Sequence, residues 1–340
     1  MRRRKKSLYD DKRRIGSVVI PIGEIICFSR RFEVGMCYFF CIFAKNKQMK
    51  NKPFFLAICL IALLLHSCNT TVDNSARDSY VYTDDYGAQV TVPAAPKRVV
   101  SVSPAVTEIV FALGADSVLV GRTDFCQYPA EALQIESIGG ISNLNIEKVI
   151  SLHPDLVISG SMVPQKAVEQ INNAGVPLVC VIEKPSFDGL FENITAIGKL
   201  IGSSETAARL NDSLRAEVDK IHLDTSLKTP TVYYVVGYGK GGNFTAGGNT
   251  FINDILTRAG CSNVAADITG WEYSLESLLM ADPDYILIRK EDAETFCKTE
   301  PYTKLSAVKN NRIIPLESAY LDLQVPRNIE GLLLIHKKTH

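Results

Sequence analysis

Between residues 80 and 336 the apolar positions follow two alternating rhythms. Runs of strand length (98–102, 117–120, 177–182, 231–236, 312–316) alternate with stretches where apolar residues recur at helical spacing (104–113, 163–174, 187–201, 204–221, 250–258, 326–336). Gly114, Gly175, Gly202 and Gly260 follow helical stretches, where a left-handed C-cap is wanted. Ser103-Pro104 opens the first helix with a cap residue and a proline whose missing N–H is harmless there. Residues 80–92 alternate about Asp84-Asp85-Tyr86-Gly87, a hairpin signal. Strands alternating with helices over short loops predict parallel α/β sheets. The helix at 204–221, about 27 Å long at 1.5 Å per residue, has no later counterpart and is the natural stiff bridge between lobes.

A short pattern occurs twice. The first copy is Asn145-Ile146-Glu147, an apolar stripe through Val149, Ile150 and Leu152, and then Pro154-Asp155-Leu156-Val157-Ile158. The second is Ser274-Leu275-Glu276, a stripe through Leu278, Leu279 and Met280, and then Pro283-Asp284-Tyr285-Ile286-Leu287-Ile288. Each reads as a polar N-cap, a two-turn helix with a glutamate in its first turn, a Pro-Asp stop and a strand. A first-turn glutamate is favoured by the helix dipole alone, by roughly 0.3–1 kcal/mol. What marks this pair is the matched spacing, seven positions from glutamate to proline in both copies. One unit used twice, about 130 residues apart, predicts two similar lobes, each presenting one carboxylate.

The zero formal charge hides an asymmetry. Residues 1–68 hold 14 Lys+Arg against 4 Asp+Glu, and residues 69–340 hold 23 against 33, so a +10 leader precedes a −10 body. An acidic body argues against a nucleic-acid partner. Met49-Lys50-Asn51-Lys52 is a short basic segment, and residues 54–65 are an unbroken apolar run, too short for a comfortable membrane span and suited to a signal peptide. The run ends in Leu65-His66-Ser67-Cys68, which resembles the lipobox of bacterial lipoproteins and makes Cys68 the expected lipidation site. A complete signal at 49–68 leaves residues 1–48 as an upstream, non-native extension, with Met49 the expected start. The body is then expected outside the cytoplasm, on the periplasmic side of the envelope, anchored to a membrane by lipid. Residues 69–96 form a tether and hairpin, 97–186 the first lobe, 187–227 the bridging helices and 228–340 the second lobe.

Candidate chemistry is sparse. After the leader, His153, His222, His336 and His340 show no paired ligand spacing, and Cys126, Cys180, Cys261 and Cys297 form no CxxC, so no metal site is read; the cysteines' pairing stays open. Neither a GxSxG nor a phosphate-binding glycine motif is present. Residues 237–248 are glycine-rich, which fits close approach of a flat ligand or plain loop flexibility. The loops at the strand exits carry aromatics, Phe125, Tyr128, Phe244, Trp271 and Tyr320, with Arg122 the basic residue placed among them. Ligands of open α/β sheets bind beyond the carboxyl ends of the strands, and aromatics there would stack on a large planar ligand.

Asp84-x-x-Gly87-x-x-Val90-x-Val92-Pro93, Pro96-x-Arg98-Val99-Val100, Ser103-Pro104, Thr107-Glu108, Tyr128-Pro129, the two glutamate and Pro-Asp units and Pro326-Arg327 together resemble the class III substrate-binding proteins of bacterial ABC importers. These carry cobalamin, haem or ferric siderophores. The resemblance covers about residues 80–336. It implies two Rossmann-like α/β lobes with parallel sheets, joined by a single long rigid helix, with the ligand between them. It implies no catalytic residue and no cofactor, a monomer that works with an ABC permease and its ATPase, and Glu147 and Glu276 docking onto the permease. Residues 121–129, Phe244-Thr245-Ala246-Gly247 and Trp271 are most similar to the ligand loops of cobalamin-binding members, although residues 138–145 lack an expected aromatic and Ala319 replaces an expected acid. A corrinoid such as cobalamin is therefore the expected ligand. Haem or a ferric siderophore is the alternative, and a chelatase-like enzyme on the same fold the more distant one.

Overall fold

The computed structural model describes residues 78–160, 163–222, 226 and 228–340. The extension at 1–48, the signal segment at 49–68, Cys68 and most of the tether lie outside the described residues.

A two-stranded antiparallel hairpin, β1 (Ser79–Thr83) and β2 (Gln89–Pro93), opens the body. Its turn follows from the sequence: the Asp84 carboxylate accepts from the Tyr86 and Ala88 amides, and Gly87 takes φ +80°. The first lobe holds β3 (Val99–Ser101), α1 (Pro104–Ala112), β4 (Leu119–Arg122), α2 (Ile146–Ser151), β5 (Leu156–Ser159), α3 (Gln165–Asn173) and β6 (Leu178–Cys180). Its sheet is parallel, in the order β4-β3-β5-β6. The hairpin turn covers the β6 edge: Asp85 N donates to Cys180 O, and Ile182 N to the Asp85 carboxylate.

The second lobe holds β7 (Thr231–Val235), α6 (Phe251–Arg258), β8 (Ser262–Asn263), α7 (Leu275–Ala281), β9 (Tyr285–Arg289), α8 (Lys290–Lys298), α9 (Ser306–Lys309), β10 (Ile313–Leu316) and α10 (Asn328–Thr339). Its sheet is also parallel, in the order β10-β9-β7-β8. In both lobes the first strand lies between the second and the third, and the fourth lies outside the third. The strand order therefore reverses at β3/β5 and at β7/β9, the points where such sheets open a crevice.

The predicted pair of parallel α/β lobes is present, and the link between them differs from the single long helix expected. Two helices make it, α4 (Phe187–Leu200) and α5 (Ser204–Val218), broken at Gly202 with φ +74° and folded against each other. Of the two, α4 is the more deeply buried, with Phe187, Leu190, Ile194 and Ile197 at 1% exposure or less.

Strand alternation builds the layers. Val99, Leu156 and Ile158 face one core with Val232, Tyr234 and Leu287, while Val100 and Val157 face a second, and Tyr233, Val235, Ile286 and Ile288 a third. The first of these cores runs unbroken from one sheet through α4 to the other. Polar contacts reinforce it. Gln324, fully buried in the second lobe, donates to Lys184 O (2.5 Å) and Ser186 O (2.9 Å) and accepts from Asn193. The Asp254 carboxylate accepts from Phe187 N at 2.8 Å. Arg327, just before α10, makes a two-pronged bond to Glu108 of α1, at 2.8 and 2.7 Å. Burial pushes the Glu108 carboxyl above the ordinary carboxylate range, against the hydrogen bond and charge of Arg327, which lower it. Among the described residues no helix is long and apolar enough to cross a membrane.

Candidate ligand cleft and docking carboxylates

At the carboxyl end of β4 the chain enters the loop at 122–129, laced to residues 137–145. Asp124 N donates to Gly139 O and Arg122 N to Glu136 O, and the Ser137 hydroxyl bonds the Asp124 carboxylate. This leaves Phe125 at 59% and Tyr128 at 49% exposure, unusual for aromatics and open to a partner. Arg122 differs from the expectation that it lines the cleft. It is 8% exposed, with Nε donating to Ala132 O and Nη1 to Thr123 O, so its guanidinium holds its own loop. The cation beside Tyr128 is Arg327, 3.8 Å from the ring centroid.

In the second lobe the glycine-rich loop has a structural purpose. Phe244 pairs with Gly237 on one side and Glu272 on the other, and its ring lies against Gly237 and Gly242, where a Cβ would come within 3.1 and 3.2 Å of it. Thr245 N donates to Trp271 O, Gly247 N to Gly270 O and Gly248 N to Ile268 O. A Cβ on Gly247 would lie 2.6 Å from Ile268 O, and one on Gly248 would sit on the Ala266 carbonyl. The glycines thus let two loops zip together by their backbones and fix the segment carrying Trp271, which stays 47% exposed.

Trp271 lines a cavity of about 560 Å³ together with Glu183, Lys184, Asn249, Arg289 and Asp322. It lies between the loop after β6 and the exits of β7, β9 and β10, which is between the lobes at their carboxyl ends. Arg289, the last residue of β9, carries no local sequence signal that marks it as part of a site. It donates from Nε to Asp322 at 2.8 Å, and the Tyr234 hydroxyl donates to the other Asp322 oxygen at 2.5 Å. Burial works against the Arg289 charge, but the Asp322 hydrogen bond and carboxylate more than offset it and hold the guanidinium above its ordinary range. Burial raises the Glu183 carboxyl, with a smaller opposing effect from the Gln324 amide.

The expected aromatics do not all share this cavity. Tyr128 lines a second one, about 570 Å³, with Glu108, Pro129, Arg327 and Glu330, and Tyr320 donates its hydroxyl to Glu330 at 2.9 Å.

Glu147 and Glu276 occupy the same place in the two lobes, the first turn of the crossover helix between the second and third strands. Both helices are capped as predicted: Asn145 accepts from Lys148 N, and Ser274 from Ser277 N. The match extends to the backbone. His153 and Asp282, each just before its Pro-Asp, take φ +47° and +38°. The two aspartates then anchor the neighbouring first strands, Asp155 accepting from the Lys97 and Arg98 amides, and Asp284 from the amide and hydroxyl of Thr231. Both glutamates are exposed, and among the described residues neither forms an ion pair or hydrogen bond.

Two parallel-sheet lobes of one topology, a shared core and a cavity at the strand ends carrying Trp271 define a two-lobed binding protein. The chain belongs to the periplasmic binding protein family, whose model matches residues 99–320. It is 30% identical over 300 residues to the uncharacterized ABC transporter substrate-binding lipoprotein YvrC of Bacillus subtilis, covering 83% of this chain and 95% of that one. It is 28% identical over 274 residues to a cobalamin-binding protein of Halobacterium salinarum, covering 76% and 73%. Among solved structures it resembles the periplasmic heme-binding protein RhuT of Roseiflexus sp. RS-1 in apo form, with a TM-score of 0.63 and 28% identity, over 72% of this chain and 99% of that one. The family is one of binding proteins with transport roles, which sets aside the chelatase-like alternative.

Proposed function

We propose that this chain is the lipid-anchored substrate-binding protein of an ABC importer, that it holds cobalamin or a related corrinoid between its lobes, and that Glu147 and Glu276 dock it onto the permease. The observation that carries the docking role is the pair of exposed, unpartnered carboxylates on N-capped helices in equivalent slots of two lobes. Two carboxylates on separate lobes of one rigid body fix both register and orientation on a partner. The cobalamin-binding relative and the exposed aromatics Phe125, Tyr128 and Trp271 support the corrinoid, with Phe244 seating the loop that carries Trp271 and Tyr320 proposed as a further contact. Cys68 is the proposed anchor. Haem is the second reading, favoured by the likeness to RhuT.

Calorimetric titration of the purified protein with cyanocobalamin, haemin and a ferric catecholate separates the ligands. One-to-one binding of cyanocobalamin alone supports the proposal; binding of haemin or the ferric chelate instead moves the substrate. Trp271→Ala should weaken ligand binding by about 1–3 kcal/mol, and unchanged affinity would remove it from the site. Replacing Glu147 and Glu276 together by alanine should leave ligand affinity unchanged and abolish binding to permease-containing vesicles. Lost ligand affinity in that double variant would place the carboxylates in the cleft instead.

A further inference from the structure

The cavity beside Trp271 contains an arginine that is held and electrically balanced before any ligand arrives. Arg289 ends β9 at the point where the second sheet reverses its strand order. Asp322 takes its Nε at 2.8 Å and is itself fixed by the Tyr234 hydroxyl. Among the described residues Arg289 makes its one well-formed hydrogen bond through Nε, and its guanidinium also lies beside the Tyr234 hydroxyl, so no carboxylate engages the two Nη groups. The other cation lining the cavity, Lys184, is spoken for: its Nζ lies 2.8 Å from Glu192 and 3.8 Å from Asp85. With Glu183 and Asp322 also lining the cavity, its acids and bases are two against two.

From this geometry we infer that Arg289, clamped by Asp322 and Tyr234, reads a neutral carbonyl acceptor at the edge of the bound ligand, so that the site selects a macrocycle bearing carboxamide side chains over one bearing carboxylates. This rests on the reading of the cleft as a tetrapyrrole-type site. Two physical points carry it. The fork of a guanidinium oriented at Nε leaves its Nη donors in a fixed plane, which suits a carbonyl oxygen beside a ring stacked on Trp271. A carboxylate would make the same hydrogen bonds but would sit a few ångströms from Asp322 with no unpaired cation to balance it, and like charges so placed repel. A neutral amide has no such cost. The discrimination thus comes from the unfavourable placing of the wrong ligand as much as from contacts to the right one.

The test is calorimetric titration with cyanocobalamin and with haemin on the wild-type protein, Arg289→Met, Arg289→Lys and Asp322→Asn, with thermal melting as the folding check. Arg289→Met should weaken cyanocobalamin roughly ten- to a hundredfold. Arg289→Lys, which keeps the charge and loses the fork, should also weaken it, and carries the test if the methionine variant does not fold. Asp322→Asn unbalances the arginine charge while still accepting from Tyr234. It should raise haemin affinity by about tenfold or more. Unchanged cyanocobalamin affinity in the arginine variants, or haemin affinity unmoved by Asp322→Asn, overturns the inference and leaves the transport reading standing. Wild-type protein that binds neither macrocycle overturns the inference together with the tetrapyrrole reading of the cleft.

Discussion

In the first lobe Val102 and Ser103 alone separate the first strand from its helix; in the second, residues 236–250 intervene at the same point. The sheets have one topology, the crossover helices one cap pattern and the Pro-Asp turns one backbone conformation. The lobes therefore agree where they build scaffold and present carboxylates, and differ where they face the cleft. The first lobe offers Phe125 and Tyr128 on a loop tied by its own buried Arg122, and the second offers Trp271 on a segment zipped to glycines. A duplicated framework can keep a docking geometry fixed while the loops at the strand ends are free to change ligand.

That division requires the lobes to act as one body, and the buried pair across them is the sharpest place to break it. Glu108→Ala leaves Arg327, only 18% exposed, without its carboxylate and should cost about 3 kcal/mol in urea unfolding. Glu108→Gln should cost less, because the amide keeps one acceptor. The pH dependence has a definite sign. The Glu108 carboxyl lies above its ordinary value in the folded protein, chiefly through burial, so its contribution is complete below the unfolded value of about 4.3 and is lost as pH rises through the folded one. Wild-type stability relative to Glu108→Gln should therefore fall as pH rises from the unfolded value through the raised folded one. A difference that grows with pH would mean the ion pair outweighs burial.

Glycines at the two cleft faces sharpen the contrast between the lobes. A Cβ on Gly248 meets the Ala266 carbonyl, which is backbone, whereas one on Gly160 meets the side chain of Ser103. Gly248→Ala should cost about 3 kcal/mol and displace Trp271, lowering its ligand-induced fluorescence change. Gly160→Ala should cost about 2 kcal/mol, since the Ser103 Oγ rotates away but its Cβ, 2.7 Å from the new methyl, moves only with the backbone. Equal costs would show that the second lobe's loops are looser than their hydrogen bonds imply.

What was legible in the sequence follows the same line. The repeat was readable because cap, apolar stripe and proline are local signals whose spacing dictates backbone geometry. The cleft was only partly readable, because a residue's place in a loop does not give its direction: Arg122 and Phe125 are three positions apart, yet one is buried and the other exposed. Helix α8 is mostly polar, with Phe296 its one buried residue, so it and Arg289 before it offer few apolar positions to read. Gln324 and Glu108 are joined to their partners by contacts between residues far apart in the chain, which no window of sequence contains.

The smallest expected effect tests how alike the two turns are. His153 and Asp282 share a left-handed backbone that a residue with a Cβ adopts at a cost of about 1 kcal/mol, and both precede proline, which narrows the choice further. Glycine would relieve that cost and add a similar entropy to the unfolded chain, so His153→Gly should move stability by less than about 0.5 kcal/mol. Asp282 does more than tolerate the turn. Its carboxylate accepts from the amide and the hydroxyl of Ser306, at 2.7 and 2.5 Å, tying the turn to α9. Asp282→Gly should therefore cost about 1 kcal/mol, read as a shift in the urea midpoint at constant slope. If both substitutions were neutral, the aspartate's bonds would add nothing beyond what water supplies, and the turns would be equivalent in energy as well as in shape. A loss confined to Asp282→Gly would show one backbone solution held in place by different side chains in each lobe.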